Sequence, residues 1–105
     1  MIFEKIYTDE GLVDLLKQKD KNAFSLLYDK YANSFYGIIL NNLNQDEKSA
    51  EYILQDAFMK IWKSIEVYDN TKEGLFAWMF KIVGSSIKEK TGVVKKIQPE
   101  LLVRK

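Results

Sequence analysis

The sequence predicts an all-α fold, a bundle of three main helices with a short helix leading into it. Three observations carry that prediction. Apolar residues recur at steps of three and four along most of the chain, the spacing of one helix face. One proline and five glycines in 105 residues favour long uninterrupted helices over a turn-rich β fold. The periodicity breaks only at short polar runs with cap and turn chemistry.

The first helix is expected over residues 9–19. Thr8 or Asp9 can cap it, and Leu12, Leu15 and Leu16 form its apolar stripe. Asp20 suits the N-cap of the second helix, residues 21–43, because its carboxylate accepts from N–H groups that lack a partner in the first turn. Ala23, Phe24, Leu27, Tyr28, Tyr31, Phe35, Ile38 and Ile39 lie on one side of it, and Tyr36 and Leu40 widen the arc. Its aromatics are read as core. Residues 41–46, NNLNQD, lose the period, and Asn44 or Asp46 caps the third helix, which continues to about Tyr68. Residues 69–74, DNTKEG, form a polar loop. The fourth helix runs from about Gly74 to about Lys90, with Leu75, Trp78, Met79, Ile82 and Ser86 on one face and Gly92 as C-cap. A basic tail, residues 93–105, holds the lone proline, Pro99. It is either a short terminal helix over 99–105 or a linker.

Length is that of one domain with a core of its own. The absence of cysteine excludes disulfides and thiolate chemistry. The absence of histidine removes the commonest general base and metal ligand. No glycine loop for phosphate, no metal-ligand cluster and no nucleophile motif is present. The expectation is a binding module, not an enzyme, with no cofactor, no metal and no catalytic residue. No run of eighteen apolar residues exists, and the start MIFEKIYTDEG has acids where a signal peptide has its apolar stretch. A soluble cytoplasmic protein without a membrane partner is expected. Charge is unevenly placed. Residues 1–68 carry eight lysines and eleven acids, a balance of −3, while residues 69–105 carry eight basic residues and four acids, a balance of +4. The second part is suited to phosphate, or the lysine excess serves solubility alone.

Three features stand out as surfaces. The third helix, over residues 50–65, has a core face of Ala50, Ile53, Leu54, Ala57, Phe58, Ile61 and Ile65. Its back carries Tyr52, Gln55, Asp56, Met59 and Lys63. Tyr and Met on a polar back suit a partner helix, though an ordinary solvated face fits the pattern equally well. In the loop, Asn70 and Thr71 suit a base edge, Lys72 a phosphate and nearby Phe76 a stacked base, while a plain helix connection also satisfies the pattern. Lys81, Ser85 and Lys88 form a stripe spaced for successive phosphates, as exposed helix lysines often are.

Taken together, these stretches resemble region 2 of bacterial RNA polymerase sigma factors of the extracytoplasmic-function (ECF) group, within the sigma-70 family. DKNAFSLLYDKY (20–31) looks like the stretch in which an acid precedes Ala-Phe, Leu-Tyr and Tyr. AEYILQDAFMKIW (50–62) is the most specific piece, similar to Ala-Glu-Asp…Gln-Glu-x-Phe-x-Lys-x-Trp. Tyr68-Asp69 and LFAWMFKI (75–82) resemble the segment with Phe-x-x-Trp-Leu-x-x-Ile. The likeness covers about residues 14–90. It implies a region 2-like fold over residues 1–92, with residues 93–105 beginning a linker to a helix-turn-helix domain of a longer protein; a truncated or stand-alone variant is the alternative.

The resemblance also implies roles. Tyr52, Gln55, Asp56, Met59 and Lys63 would bind the β′ clamp of core RNA polymerase. Tyr68, Asn70, Thr71, Lys72 and Phe76, with Lys81, Ser85 and Lys88, would hold the non-template strand of the promoter minus-ten element and help melt it. An anti-sigma protein would cover the same faces. The sequence departs from the family pattern at Tyr52, where an acid is usual, at Leu75 for Phe, at Ser85 for Asn and at Gly92 for Arg. A helical protein–protein adaptor that keeps the bundle without DNA binding is the alternative function.

Overall fold

The structure, a computed structural model, describes residues 9–91. The expected cap at Thr8, the C-cap at Gly92 and the tail with its helix over 99–105 lie outside the described residues. Within them the chain is all helical. α1 spans Asp9–Lys17, α2 Lys21–Asn42, α3 Glu47–Ser64 and α4 Leu75–Thr91, with a 3-10 turn, Ile65–Val67, after α3. The expected all-α bundle of three main helices with a short first helix is the architecture observed among the described residues.

Local chemistry fixes most boundaries. α1 ends two residues before the expected Lys19. Lys19 N–H donates to Leu16 O and Asp20 N–H to Leu15 O, with Lys19 left-handed at φ 63°. This is the Schellman closure, with lysine where glycine is usual. Asp20 then accepts from Asn22 N–H (2.8 Å) and Ala23 N–H (3.1 Å), capping α2 as expected. α2 closes in the same way: Gln45 N–H donates to Leu40 O, and both Asn44 and Gln45 have positive φ. Asp46, not Asn44, caps α3, accepting from the backbone and hydroxyl of Ser49. Those hydrogen bonds, the backbone and then the hydroxyl, hold the Asp46 carboxyl below its ordinary range. The α-helix expected to reach Tyr68 stops at Ser64 and tightens into the 3-10 turn, where Tyr68 N–H donates to Ile65 O.

α3 lies between α2 and α4, while α1 rests on α2 and the 3-10 turn. All seven residues assigned to the core face of α3 are buried. Phe58 is their centre. Its ring meets Phe24 (centroids 6.1 Å apart), Tyr28 (4.8 Å) and Phe35 (6.3 Å), each edge to face. Such pairs add ~0.5–1.5 kcal/mol beyond area burial. The aromatics of α2 therefore serve as core, although Phe24, Tyr28 and Tyr31 are only half-buried. Ala32 and Val83 are buried positions outside the stripes expected from the sequence, and Ile82 is half-buried.

Polar contacts pin α1. Asp9 accepts from Lys30 Nζ (3.0 Å) and from the Tyr31 hydroxyl (2.9 Å). Burial, and then that bond to a carboxylate, pushes the Tyr31 phenol up to about 12. Lys17 Nζ donates to Tyr68 O (2.7 Å) and Lys19 Nζ to Trp62 O (2.6 Å).

Phe58→Ala is expected to lower unfolding free energy by about 3–5 kcal/mol, since the three rings around it cannot collapse into the void. Urea titration by circular dichroism checks this, the midpoint falling while the slope stays the same.

Candidate functional site

The back of α3 is solvent-facing because the opposite face is committed to the core. Tyr52 is 57% exposed and Met59 49%, with Gln55 and Lys63 also exposed and Asp56 half-buried. The five residues read from the sequence thus form one continuous outer surface. α4 supports it from the side. Lys90 Nζ sits 4.8 Å from the centre of the Tyr52 ring, a cation–π contact.

Asp56 is held by a network that sequence reading missed. Lys60 Nζ donates to Asp56 Oδ2 (2.8 Å), to Ser86 Oγ (3.2 Å) and to Glu89 Oε1. Ser86, expected on the core face, is 1% exposed and the sole polar side chain buried among the described residues. The hydrogen bond from Lys60 chiefly, with one from Ser86, holds the Asp56 carboxyl below the ordinary aspartate range. Burial disfavours the Lys60 charge, but hydrogen bonds to Asp56 and Glu89 outweigh it and keep this lysine above its ordinary value. The i,i+4 spacing of Asp56 and Lys60 was visible in the sequence. The reach to α4 was not.

The loop separates into buried and exposed parts. Tyr68, assigned above to the DNA surface, is 4% exposed. Its ring packs against Trp78 (5.1 Å) and its hydroxyl donates to Glu73 O (3.0 Å). It therefore shapes the loop from within. Asn70, Thr71 and Lys72 are exposed. Asp69 Oδ1 accepts from the Thr71 hydroxyl (2.6 Å) and N–H (2.9 Å), and these two bonds hold its carboxyl below the ordinary range. The Thr71 hydroxyl hydrogen is thus committed to Asp69, which leaves its oxygen as an acceptor. Between α1 and the loop lies a cleft of about 470 Å³ lined by Asp14, Lys17, Tyr68, Asp69 and Asn70 among others.

α4 carries the third surface. Phe76 is 42% exposed, with its ring stacked on buried Phe35 (4.9 Å, 13°). Phe80, one turn on, is 45% exposed and continues the row (6.3 Å, 17°). The sequence reading left Phe80 out, although its i,i+4 spacing from Phe76 was legible. Beyond it a cleft of about 470 Å³ is lined by Phe80, Lys81, Gly84, Ser85, Lys88 and Glu89, so the expected stripe does share one face. Lys81 also pairs with Glu73 (2.7 Å). Among the described residues no group of three or more acids is placed to hold a metal ion, and no helix is long and apolar enough to cross a membrane.

The Sigma-70 region 2 family model matches residues 27–90, from within α2 almost to the end of α4. The chain belongs to the sigma-70 region 2 family. The outer face of α3, the loop and the exposed side of α4 all lie inside the matched span. The chain is similar to the ECF RNA polymerase sigma-E factor of Haemophilus influenzae, at 28% identity over 81 residues, 77% of this chain and 41% of that protein. It is similar to the RNA polymerase sigma-H factor of Pseudomonas aeruginosa, at 28% over 80 residues, 76% and 40%. A third relative, the ECF RNA polymerase sigma factor SigK of Mycobacterium sp. (strain KMS), is 28% identical over 71 residues, 68% and 36%. The region 2 chain spans about two fifths of the length of these relatives. No solved structure matches it.

The depressed Asp56 pKa has a defined sign. It contributes stability that is present above the unfolded-state value of about 3.9 and is lost as pH falls through the folded-state pKa. The carboxyl ¹³C titration of Asp56 is expected to have its midpoint below the ordinary aspartate value. In Lys60→Met it is expected to move up towards that value.

Proposed function

We propose that this region 2 domain acts in transcription initiation as part of a sigma factor. It binds core RNA polymerase through the outer face of α3 and the non-template strand of the promoter minus-ten element through the loop and α4. The observation that carries this reading is that the family match spans the helices bearing both surfaces. The domain works by binding and has no bond chemistry of its own.

The chemistry of each surface supports its assignment. On α3, exposed Tyr52 and Met59 flank Gln55 and Asp56, an apolar and adaptable area around groups that can meet a basic clamp helix. On α4, Phe80 at the outer end of the ring row offers a π-face to an unpaired base with Phe76 stacked beneath it, and Lys72 of the loop with Lys81 and Lys88 of α4 offers charge to its phosphates. Taking a base from the duplex costs a few kcal/mol, while stacking on an aromatic side chain returns ~1–3 kcal/mol per base. Region 2 would thus melt DNA by capturing bases that leave the stack, with polymerase supplying the remaining contacts. An anti-sigma protein acting here would compete for the same faces.

Gln55→Ala combined with Asp56→Ala is expected to abolish association with bacterial core polymerase while the circular dichroism spectrum stays that of a folded bundle. With core supplied, a non-template minus-ten oligonucleotide is expected to bind, and its log affinity to fall with log salt by about 0.7 per phosphate neutralised. Core binding that survives the double substitution places the interface elsewhere. A complex with core that retains no single-stranded DNA turns the reading to a protein–protein adaptor.

A further inference from the structure

We infer that Lys60 is a positioning residue for polymerase binding, its ammonium fixing the Asp56 carboxylate of α3 against Ser86 and Glu89 of α4. The inference rests on the proposed polymerase face of α3 and goes beyond it to a residue absent from that face.

An isolated i,i+4 ion pair leaves both side chains free to move in solvent. Here the surroundings differ. The three donors of the Lys60 ammonium meet three acceptors: Asp56 Oδ2 at 2.8 Å, Ser86 Oγ at 3.2 Å and Glu89 Oε1. One of these is immobile, because Ser86 is 1% exposed and set by the packing of α4 on α3. The lysine head is therefore anchored to the core, and Asp56 is anchored chiefly to the lysine, with a lesser bond from Ser86. An ionised carboxylate has about four acceptor positions. Lys60 occupies one on Oδ2, which sets the plane in which the others face a partner. A carboxylate already ordered loses less freedom on binding than one that must be ordered then. Glu89 has a second role in this arrangement. It also lines the cleft with Lys81, Ser85 and Lys88, so one ammonium ties the α3 face to the helix that carries the lysine stripe.

The test measures the affinity of the full chain for bacterial core RNA polymerase in wild type, Lys60→Met, Asp56→Asn and the double variant. Lys60→Met is expected to weaken binding about tenfold when Asp56 is present, the size of coupling typical of one hydrogen-bonded network. It is expected to have no further effect when residue 56 is already Asn. An equal loss in both backgrounds means that Lys60 touches the partner or only supports the fold, and overturns the inference. Unchanged affinity in Lys60→Met beside a clear loss in Asp56→Asn overturns it too, while leaving the α3 reading intact. Full affinity in Asp56→Asn overturns the inference, while the α3 reading is decided separately by the Gln55→Ala and Asp56→Ala double substitution. Should Lys60→Met fail to fold, Glu89→Gln removes one anchor and keeps the lysine charge. A loss that vanishes in the Asp56→Asn background supports the inference, and no loss overturns it.

Discussion

The burial of Phe58 is the constraint from which the arrangement of this domain follows. α3 is covered on one face by α2 and flanked by α4, and its central ring is enclosed edge to face by Phe24, Tyr28 and Phe35. Phe35 is itself fully buried and stacks on Phe76, which stacks on Phe80 at the surface. A row of rings thus leads from the core to solvent. The exposed aromatics of α4 are not loosely held apolar residues. Their orientation follows from the same packing that turns the other face of α3 outward, and close-packed cores transmit such constraints well. Fold and surface are therefore one problem here, since moving Phe58 would move both proposed interfaces.

Electrostatics divides the charged residues into two kinds. Lys60 is about two-thirds buried, bonded to two helices and keeps its charge against desolvation. Lys81 is 67% exposed in its side chain and pairs with Glu73, whose side chain is only 26% exposed. Its ammonium stands largely in solvent, where charge interactions are screened by salt. Lys81 is consequently open to a phosphate from solvent while it stays on Glu73. Lys60 is not, because displacing it would leave Asp56, Ser86 and Glu89 without a shared donor. The near-zero net charge of the whole chain conceals this difference, which depends on depth and partners rather than on counts.

Much of the bundle was legible because helical periodicity is a direct record of burial. The core face of α3, the cap at Asp20 and the buried position of Ser86 all follow from spacing and local hydrogen bonding. What escaped depends on non-local geometry. Ala32 and Val83 are buried because the helices cross where they do, and small residues give weak periodic signals. Tyr68 reads as a loop residue by position, yet its extended backbone after the 3-10 turn points the ring towards Trp78. Lys19, Asn44 and Gln45 adopt left-handed backbone where glycine would have marked the turn in the sequence. The Lys60 network joins residues 26 and 29 positions apart, a pairing that only the packing of α4 on α3 creates.

Tyr52 shows how a departure from the family pattern can be absorbed. An acid at this position would stand within reach of Lys90 and attract it by charge. The tyrosine holds the same lysine through the negative face of its ring, at 4.8 Å. At an exposed site that contact contributes ~0.5–1 kcal/mol, similar to a surface ion pair. The cross-link between α3 and the last turn of α4 is thus kept. What changes is the outer face of α3, which has one negative charge fewer and a large apolar ring in its place. Asp56 then stands as the acid of that face, so the attraction of the basic partner proposed above would rest on one carboxylate, the one that Lys60 and Ser86 hold.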